Sequence, residues 1–355
     1  STPIKSSAAS DVYKRQGMNN NSGNDKTMTI HDVARELGVS ASTVSRAISG
    51  KGRIGAATRD RILDYIEEHG FYPNAAAQSL AQSKTNNIAI ILPEVNTLVD
   101  MPFFHTCMYG VEEVAQANDY DIIVVTTNGN DTKPLERLIQ NRKVDGMILT
   151  RTYENDKYVK FLKQKQIPFV AVGKFPDDDV VQVDHDNVGA CKELVTVLFA
   201  KGIQNIAYLG SNMDQMVNRC RYQGYEEAYR KGKRKLNQDL VYTDLSSKAM
   251  VEKAVEELKK SGVECILCQD DYICDEAVRK LSHMGVRIPD QMKVASCHYS
   301  RILENYPVTV TSLKFNITEL GRRSCQVLLD MIHGKTVPDK TLLDYEIILK
   351  ESTKG

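Results

Sequence analysis

The chain has 355 residues, of which 42% are hydrophobic and 26% are charged, and its 46 basic side chains balance 46 acidic ones. That length suffices for two or three domains, and the composition is typical of a soluble globular protein. The sequence contains no run of about 18 apolar residues, so no membrane span is predicted. It also lacks an apolar stretch followed by a small-residue cleavage site, so no secretory signal is predicted. We therefore expect a cytoplasmic protein, and its eight scattered cysteines fit a reducing compartment.

Residues 1–27 form a polar leader with few apolar residues and no periodicity, which predicts disorder. Within it, residues 11–16 (Asp-Val-Tyr-Lys-Arg-Gln) resemble a translated adapter of the kind used in sequencing libraries. We therefore expect the leader to be partly artefactual and the natural start to be Met18 or Met28.

Two short amphipathic helices are predicted within residues 29–49. Each has an apolar stripe at helical spacing, formed by Ile30, Val33, Ala34 and Leu37 in the first and by Val44, Ala47 and Ile48 in the second. Gly38 ends the first helix because it can adopt a left-handed backbone, and Ser40 caps the second. This spacing is typical of a helix-turn-helix. An ordinary solvated helical hairpin is the alternative, because short motifs often occur by chance.

The outward face of the second helix carries Ser42, Thr43, Ser45 and Arg46, groups that can bond to base edges and phosphates in a major groove. Five basic residues and one acid lie between positions 46 and 61. This local excess would track a phosphate backbone, although a solvated charged helix has the same composition. A third helix is predicted at 58–69, and alanine-rich residues 74–83 favour a short helix before a linker.

From Ile88 onward, short apolar runs alternate with helical patterns. The runs predict strands at 88–92, 121–126, 146–150, 169–172, 206–209, 265–268 and 293–296. The helical patterns lie near 104–118, 133–142, 156–165, 189–201, 216–230, 248–260 and 271–284. Such alternation predicts parallel sheets with helices on both faces. Roughly 265 residues exceed one typical domain, so we expect two α/β lobes with a ligand between them.

Several motifs resemble sites without their context. Residues 50–55 match Gly-x-Gly-x-x-Gly, but a dinucleotide fingerprint needs a preceding strand, so a turn between helices is favoured. Cys265 and Cys268 lie in a strand-like run, which favours buried thiols over a metal or redox pair. No metal or cofactor site is predicted, because no second histidine pairs at i, i+4 with His185, His283, His298 or His333.

The sequence after residue 27 resembles the family of the lactose, galactose and purine repressors. Matching blocks occur in family order at 29–46, 72–74, 80–81, 102–104, 144–149, 186–187, 221–225, 285–290 and 320–321. The resemblance implies a multidomain chain with an all-α helix-turn-helix head at 28–73 and a hinge helix and linker at 74–87. It also implies a periplasmic-binding-protein-like α/β core at 88–352, with two lobes and parallel sheets. Such a protein would bind a pseudo-palindromic operator as a homodimer.

The resemblance also implies which residues touch DNA. Ala41, Ser42 and Arg46 would read bases in the major groove, with Arg46 bonding to guanine. Leu80 of the paired hinge helices would wedge into the central base step of the minor groove, although dimer packing is an alternative for this leucine. The full predicted set is Thr29, Ile30, Ser40, Ala41, Ser42, Thr43, Ser45, Arg46, Asn74, Ala77, Gln78 and Leu80.

An effector would bind between the core lobes, through Phe104, Asp186, Arg221, Gln269, Asp271 and His298. Arg221 matches the family's ligand arginine, with a surface arginine on an amphipathic helix as the alternative. The sequence departs from the family at Gln269, in place of asparagine, and at His298, in place of a carboxylate. A histidine can donate, accept or carry charge, whereas a carboxylate only accepts. The effector is thus expected to be sugar-like, with a differently substituted sugar or an acidic metabolite near Arg221 and His298 as candidates.

Together these patterns predict a transcription regulator, a repressor whose operator affinity is controlled by a small effector. Its expected partners are double-stranded DNA, the effector and a second copy of the chain, with no membrane, and its expected location is the nucleoid. An extracellular sugar receptor is a second hypothesis, which the missing signal peptide and the attached head disfavour. An enzyme is the third, but no nucleophile–base pair or phosphate loop supports it, and no catalytic activity is expected.

Overall fold

A computed structural model of the chain describes residues 28–50, 52–71, 84–94, 102–128 and 131–354. The chain divides into two compact units, Ser1–Ser83 and Lys84–Gly355. The first unit holds the predicted head, and the second holds the predicted core. The predicted hinge helix lies outside the described residues, and so do Asn74, Ala77, Gln78 and Leu80.

The described part of the head contains α1 (Ile30–Glu36), α2 (Ala41–Ser49) and α3 (Ala56–Glu68). Thr29 begins α1 because its side chain accepts a hydrogen bond from the backbone N–H of Asp32, and the Asp32 side chain accepts one from Thr29 in return. Gly38 follows α1 with a φ of 64°, a left-handed conformation that costs glycine little. The side chain of Ser40 then caps α2 by accepting a hydrogen bond from the backbone N–H of Thr43.

One small core joins the three helices of the head. Its buried members are Val33, Ala34, Val44, Ala47, Ile62 and Phe71. The remaining residues of both predicted stripes, Ile30, Leu37 and Ile48, pack against it half-buried. The predicted helix-turn-helix is therefore confirmed. The glycine motif at 50–55 joins α2 to α3, so it lies between helices as the sequence predicts.

The described core contains twelve strands. They are β1 (Asn87–Pro93), β2 (Asp121–Thr127), β3 (Gly146–Leu149), β4 (Phe169–Val172), β5 (Gln182–His185), β6 (Ile206–Leu209), β7 (Val241–Tyr242), β8 (Cys265–Cys268), β9 (Lys293–Ser296), β10 (Thr311–Phe315), β11 (Lys340–Leu343) and β12 (Tyr345–Ile348). The first sheet has the order β11-β5-β4-β3-β1-β2 and is parallel throughout. The second has the order β12-β10-β9-β8-β6-β7, and β12 alone runs antiparallel to its neighbour.

Helices cover both sheets. They are α4 (Pro102–Gln116), α5 (Lys133–Gln140), α6 (Lys157–Lys165), α7 (Asn187–Ala200), α8 (Met216–Lys231), α9 (Lys248–Lys260), α10 (Asp271–His283) and α11 (Ile317–Ile332). Each strand of a sheet covered on both faces divides its side chains between two cores. On β1, Ile88 and Ile90 face one core while Ala89 and Ile91 face the other. The predicted architecture of two α/β lobes is confirmed.

The chain crosses between the two sheets three times, and each crossover is a single residue. Asp186 joins β5 of the first sheet to α7, which packs on the second sheet. Asn316 joins β10 of the second sheet to α11, which packs on the first. Asp344 joins β11 of the first sheet to β12 of the second. Both lobes are therefore assembled from segments that are distant in sequence.

Cys265 and Cys268 lie on β8, with the two side chains in different cores and neither exposed to solvent. All eight cysteines are buried and unpaired, as the sequence favours. Several elements were not predicted, namely β5, β7, β10, β11, β12 and α11. Among the described helices, none is long and apolar enough to cross a membrane.

Candidate effector cavity and DNA-binding surface

A cavity of about 110 Å³ lies between the two lobes. Its wall includes Thr150 and Asp184 from the first lobe and Asp271 and His298 from the second, all at or just beyond the carboxyl ends of strands. Ligands of parallel α/β sheets bind at this end of the strands. One water molecule needs about 10–15 Å³ of such volume, so the cavity can hold a small organic molecule.

Arg221 reaches the cavity from α8 and is only 8% exposed. Its Nε donates to Asn187 Oδ1 at 3.2 Å, and its Nη1 donates to the carbonyl oxygen of Gln269 at 3.0 Å. These contacts require α7 and α8 to lie close together. Gly224 allows this approach, because a Cβ at that position would lie 2.4 Å from the carbonyl oxygen of Val188. The Arg-x-x-Gly spacing thus combines a cavity-facing guanidinium with the helix contact that positions it.

Asp184 lies at the end of β5, buried beside the crossover. Its carboxylate accepts hydrogen bonds from the backbone N–H groups of Lys174 and His185 at 3.0 and 2.8 Å and from Asn187 Nδ2 at 3.1 Å. Burial raises the pKa of Asp184 to about 6, although these hydrogen bonds and the charge of Arg221 favour the ionised form. Asp184 and Arg221 therefore hold Asn187 between them.

His298 and Asp271 form a buried pair in which Nδ1 of the histidine lies 3.1 Å from Oδ1 of the aspartate. Burial alone would raise the pKa of Asp271, but the hydrogen bond from His298 and the charge of that histidine hold it below its usual value. Asp271 is therefore an ionised acceptor, so Nδ1 of His298 must carry a proton and donate it. The other ring nitrogen, Nε2, is buried and has no hydrogen-bond partner among the described residues.

His185 is the second histidine of the cavity wall. Burial, together with the charges of His298 and Arg221, lowers its pKa to about 4. Its Nε2 is also buried without a partner in the described part of the chain. The two histidines lie near Phe315, whose ring centroid is 4.8 Å from that of His185 and 6.2 Å from that of His298.

Aromatic rings supply much of the remaining cavity wall. Phe103 and Phe104 begin α4 and pack edge to face, with ring centroids 5.2 Å apart. The guanidinium of Arg151 lies over the Phe104 ring, 5.0 Å from its centroid. With Phe315 they give the cavity flat apolar faces beside charged groups, an arrangement suited to a ring that carries polar substituents.

The lobes also contact each other through the segments that follow β3 and β6. Tyr153 pairs with Gln215 as a short antiparallel bridge. The backbone N–H of Met216 donates to the Thr152 carbonyl oxygen at 3.1 Å. An ion pair between Arg219 and Glu154, 2.6 Å long, joins the same segments. Because Thr152 and Gln215 also line the cavity, these contacts close part of its wall.

The structure brings four of the six predicted effector residues to the cavity: Phe104, Arg221, Asp271 and His298. It does not place the other two in the wall. Asp186 caps α7 by accepting a hydrogen bond from the Gly189 N–H at 2.8 Å. Gln269 is fully buried, and its Oε1 accepts a hydrogen bond from the Ser211 N–H at 3.0 Å.

Sequence reasoning missed the neighbours of these two residues, namely Asp184, His185, Asn187 and Asp270, which do line the cavity. The polar run from Asp184 to Asn187 is a usable signal, because polar residues at a strand end are unusual in a buried position and three of these four, Asp184, His185 and Asn187, are buried.

In the head, Ser42, Ser45 and Arg46 are exposed on one helix, as a base-reading surface requires. Ala41 and Thr43 are half-buried. Ile30 packs against the head core, while Thr29 and Ser40 act as helix caps whose side chains stay exposed. The basic run is also exposed where it is described, at Arg53, Arg59 and Arg61, and Arg61 donates to the Leu37 carbonyl oxygen.

Comparison with known protein families agrees with both units. A profile described as periplasmic binding proteins and sugar binding domain of the LacI family matches residues 85–351. A second, described as bacterial regulatory proteins of the lacI family, matches residues 29–74. The chain belongs to the LacI family. The predicted family is therefore confirmed, and with it the interpretation of this LacI-family chain as a DNA-binding transcription regulator.

Similar proteins are themselves described as regulators. The chain is 29% identical to the HTH-type transcriptional regulator MalR of Streptococcus pneumoniae over 91% of its own length and 99% of the relative. It is 28% identical to the regulator CelR of Thermobifida fusca, over 91% and 98%. These relatives are named as transcription regulators rather than enzymes.

Two solved structures resemble the chain over most of its length. A complex of the transcriptional regulator CelR with cellobiose covers 92% of this chain and 99% of its own, at 26% identity and a TM-score of 0.71. The lac repressor dimer bound to operator and an anti-inducer covers 93% and 100%, at 19% identity and a TM-score of 0.78, and so supports the fold.

Proposed function

We propose that this LacI-family regulator is a cytoplasmic repressor that binds a pseudo-palindromic operator as a homodimer. A sugar or sugar derivative between the core lobes controls its affinity for DNA, and the chain has no catalytic activity. Arg46, Ser42 and Ala41 read bases, while Phe104, Arg221, Asp271 and His298 contact the effector.

One observation carries the proposal. A single chain combines an exposed recognition helix with a buried polar and aromatic cavity whose wall includes residues on both sides of the crossovers. Asp184 and His185 precede the crossover at Asp186, and Asn187 follows it. A ligand that contacts these residues touches both lobes at the place where they are joined.

Control of DNA binding then follows from differential binding. An effector shifts an equilibrium between two lobe arrangements only as far as its affinity for the two arrangements differs. The cavity residues belong to both lobes, so any change in lobe angle changes their separation. The complex of CelR with cellobiose, a 26% identical relative, supports a sugar as the effector.

The test begins with selection of operator sequences from random double-stranded DNA by the full-length protein. Arg46→Ala should weaken binding to the selected operator by about 1–3 kcal/mol, or roughly 5- to 150-fold, because an arginine bonded to guanine is worth that much. It should also relax base preference at one position of each half-site. Gel-shift or fluorescence anisotropy titrations measure both effects.

Arg279→Ala is the matched control, because it removes the same charge from an exposed position in the effector-binding unit, outside the head. It should bind the operator as the parent does. An Arg46→Ala protein with unchanged affinity and base preference would contradict the proposed role of α2, and failure to select any sequence would contradict the proposed function itself.

A further inference from the structure

Two buried imidazole nitrogens in the effector cavity lack hydrogen-bond partners among the described residues. They are Nε2 of His298 and Nε2 of His185, and both side chains line the cavity. Buried polar atoms in native proteins are nearly always hydrogen-bonded, and an unpaired one destabilises the fold. With His298 only 7% exposed, bulk water cannot fully satisfy it, so these atoms indicate where a polar ligand group belongs.

Each carboxylate in the cavity wall already accepts one or more hydrogen bonds from the protein. Asp184 accepts from two backbone N–H groups and one side chain. Asp271 accepts from His298, and Asp270 caps α10 by accepting from the Ile273 N–H at 2.9 Å. An ionised carboxylate has about four acceptor sites, so these bonds use part of that capacity and leave less of it for the hydroxyl groups of a neutral sugar.

Donors remain available on the same side of the cavity. Arg221 uses Nε and Nη1 within the protein, and no described residue accepts from its Nη2. Nδ1 of His298 faces Asp271, so Nε2 is the ring nitrogen left to contact a ligand. Arg221 bonds to Asn187, two residues beyond His185, and the rings of His185 and His298 both lie near Phe315, so these side chains share one region of the wall.

We propose that the effector is a sugar acid, a sugar ring that carries one carboxylate. The carboxylate accepts hydrogen bonds from Arg221 and from the protonated Nε2 of His298, while the ring lies against Phe103, Phe104 and Phe315. This inference rests on the proposed function and specifies the chemistry of its effector.

One negative charge fits this cavity better than two. Asp184, Asp270 and Asp271 all line it, and in a site of low dielectric each ionised carboxylate repels an anion strongly. The wall also holds the basic side chains of Arg151, Arg221 and His298, which oppose the three carboxylates, so a ligand with two negative charges meets more net repulsion than a ligand with one. A phosphate ester, which carries nearly two charges at neutral pH, should therefore be rejected.

The experiment compares matched ligands on the full-length protein by isothermal titration calorimetry and thermal shift. The probes are D-glucuronate and D-galacturonate, their neutral counterparts D-glucose and D-galactose, and D-glucose 6-phosphate. At least one uronate should bind ten or more times more tightly than its neutral counterpart and than the phosphate ester. Equal or tighter binding of a neutral sugar or of the phosphate ester would overturn the inference, as would binding of neither uronate.

Variants test the assigned groups. His298→Asp should weaken uronate binding at least a hundredfold and reverse the preference toward the neutral sugar. Because a new carboxylate beside Asp271 could impair folding, His298→Asn serves as a second variant that should lose the preference for the acid. Tyr299→Phe, next in sequence but outside the cavity wall, is the matched control. An unchanged ratio of uronate to neutral sugar affinity in His298→Asn would refute the role of His298.

Operator binding separates the two levels of failure. If the protein and its variants bind the selected operator but no uronate, the sugar-acid inference is wrong, while the proposed function as a DNA-binding regulator still holds. If the folded protein binds no operator, the proposed function fails irrespective of the ligand results.

Discussion

Replacing Gly224 with alanine should destabilise the core and disturb the cavity from one helical turn away. The added Cβ would lie 2.4 Å from the Val188 carbonyl oxygen, 2.8 Å from Cys191 Cβ and 3.0 Å from the Lys192 backbone nitrogen. Cβ atoms almost never approach other atoms within 3.0 Å. The helices α7 and α8 must therefore separate by at least about half an ångström, since backbone atoms cannot rotate away as a side chain can.

The magnitude follows from two opposing effects. Overpacking of a tight contact costs about 1–3 kcal/mol, and three simultaneous contacts, two of them with backbone atoms, favour the upper end. Alanine recovers about 1 kcal/mol because it is a better helix former than glycine. The net loss should be about 2 kcal/mol, which lowers the melting temperature of a domain of this size by about 4–8 °C.

Differential scanning calorimetry of the full-length chain measures this change. Gly232→Ala is the matched control, because it lies at the end of the same helix with a φ of −74° and its nearest atom would be 3.3 Å away. That variant should melt within about 1 °C of the parent. If Gly224→Ala melts at the parental temperature, then α7 and α8 are not in the close contact on which the placement of Arg221 depends.

Two further predictions concern pH and the head. Burial lowers the pKa of His185 to about 4, so the unfolded chain binds more protons between pH 4 and 6.5 and this residue increases stability as pH rises through that window. Burial raises the pKa of Asp184 to about 6, so there the folded state binds more protons and stability falls over nearly the same window. Urea titrations measure the free energy of unfolding at each pH. Between pH 4 and 6, this free energy should rise by about 2–3 kcal/mol less in His185→Gln than in the parent. If the two plots of unfolding free energy against pH run parallel, the prediction is wrong. Ser40→Ala removes the side chain that accepts the Thr43 N–H hydrogen bond, so thermal unfolding should show that the head loses about 1 kcal/mol of free energy of unfolding. Ser45→Ala, at an exposed position of the same helix, should leave that free energy unchanged. Equal losses in the two variants would show that Ser40 does not stabilise the helix as a cap.

Local patterns were sufficient for most of the fold. The stripes of α1 and α2 and the alternation from β1 to β9 follow from apolar spacing, which depends only on nearby residues. β5 is different, because Gln182, Asp184 and His185 are buried in it. Specific hydrogen bonds compensate for their burial, and no apolar run indicates such a strand. The apolar spacing of α11 does indicate a helix, although the predicted alternation stops at β9.

The cavity residues show where sequence reasoning ends. Gln269, Asp270 and Asp271 are consecutive and chemically similar, yet the last two line the cavity and the first is buried beneath it. Which side chain faces the ligand depends on the residue at which β8 ends and α10 begins. The same one-residue difference separates Asp186, which caps α7, from Asn187, which bonds to Arg221.

The three single-residue crossovers also constrain how the protein can be made. The sheet of the first lobe takes β1 to β5 from residues before 186, but its edge strand β11 comes from 340–343, more than 150 positions later. A ribosome releases the chain from its N-terminus, and domains that are contiguous can fold as they emerge. This lobe must wait for residues 317–343 before it gains α11 and its final strand. Premature termination between residues 187 and 316 should therefore leave both halves of the core incomplete, so that truncated chains are degraded by proteases and do not persist as DNA-binding heads with a folded half-core.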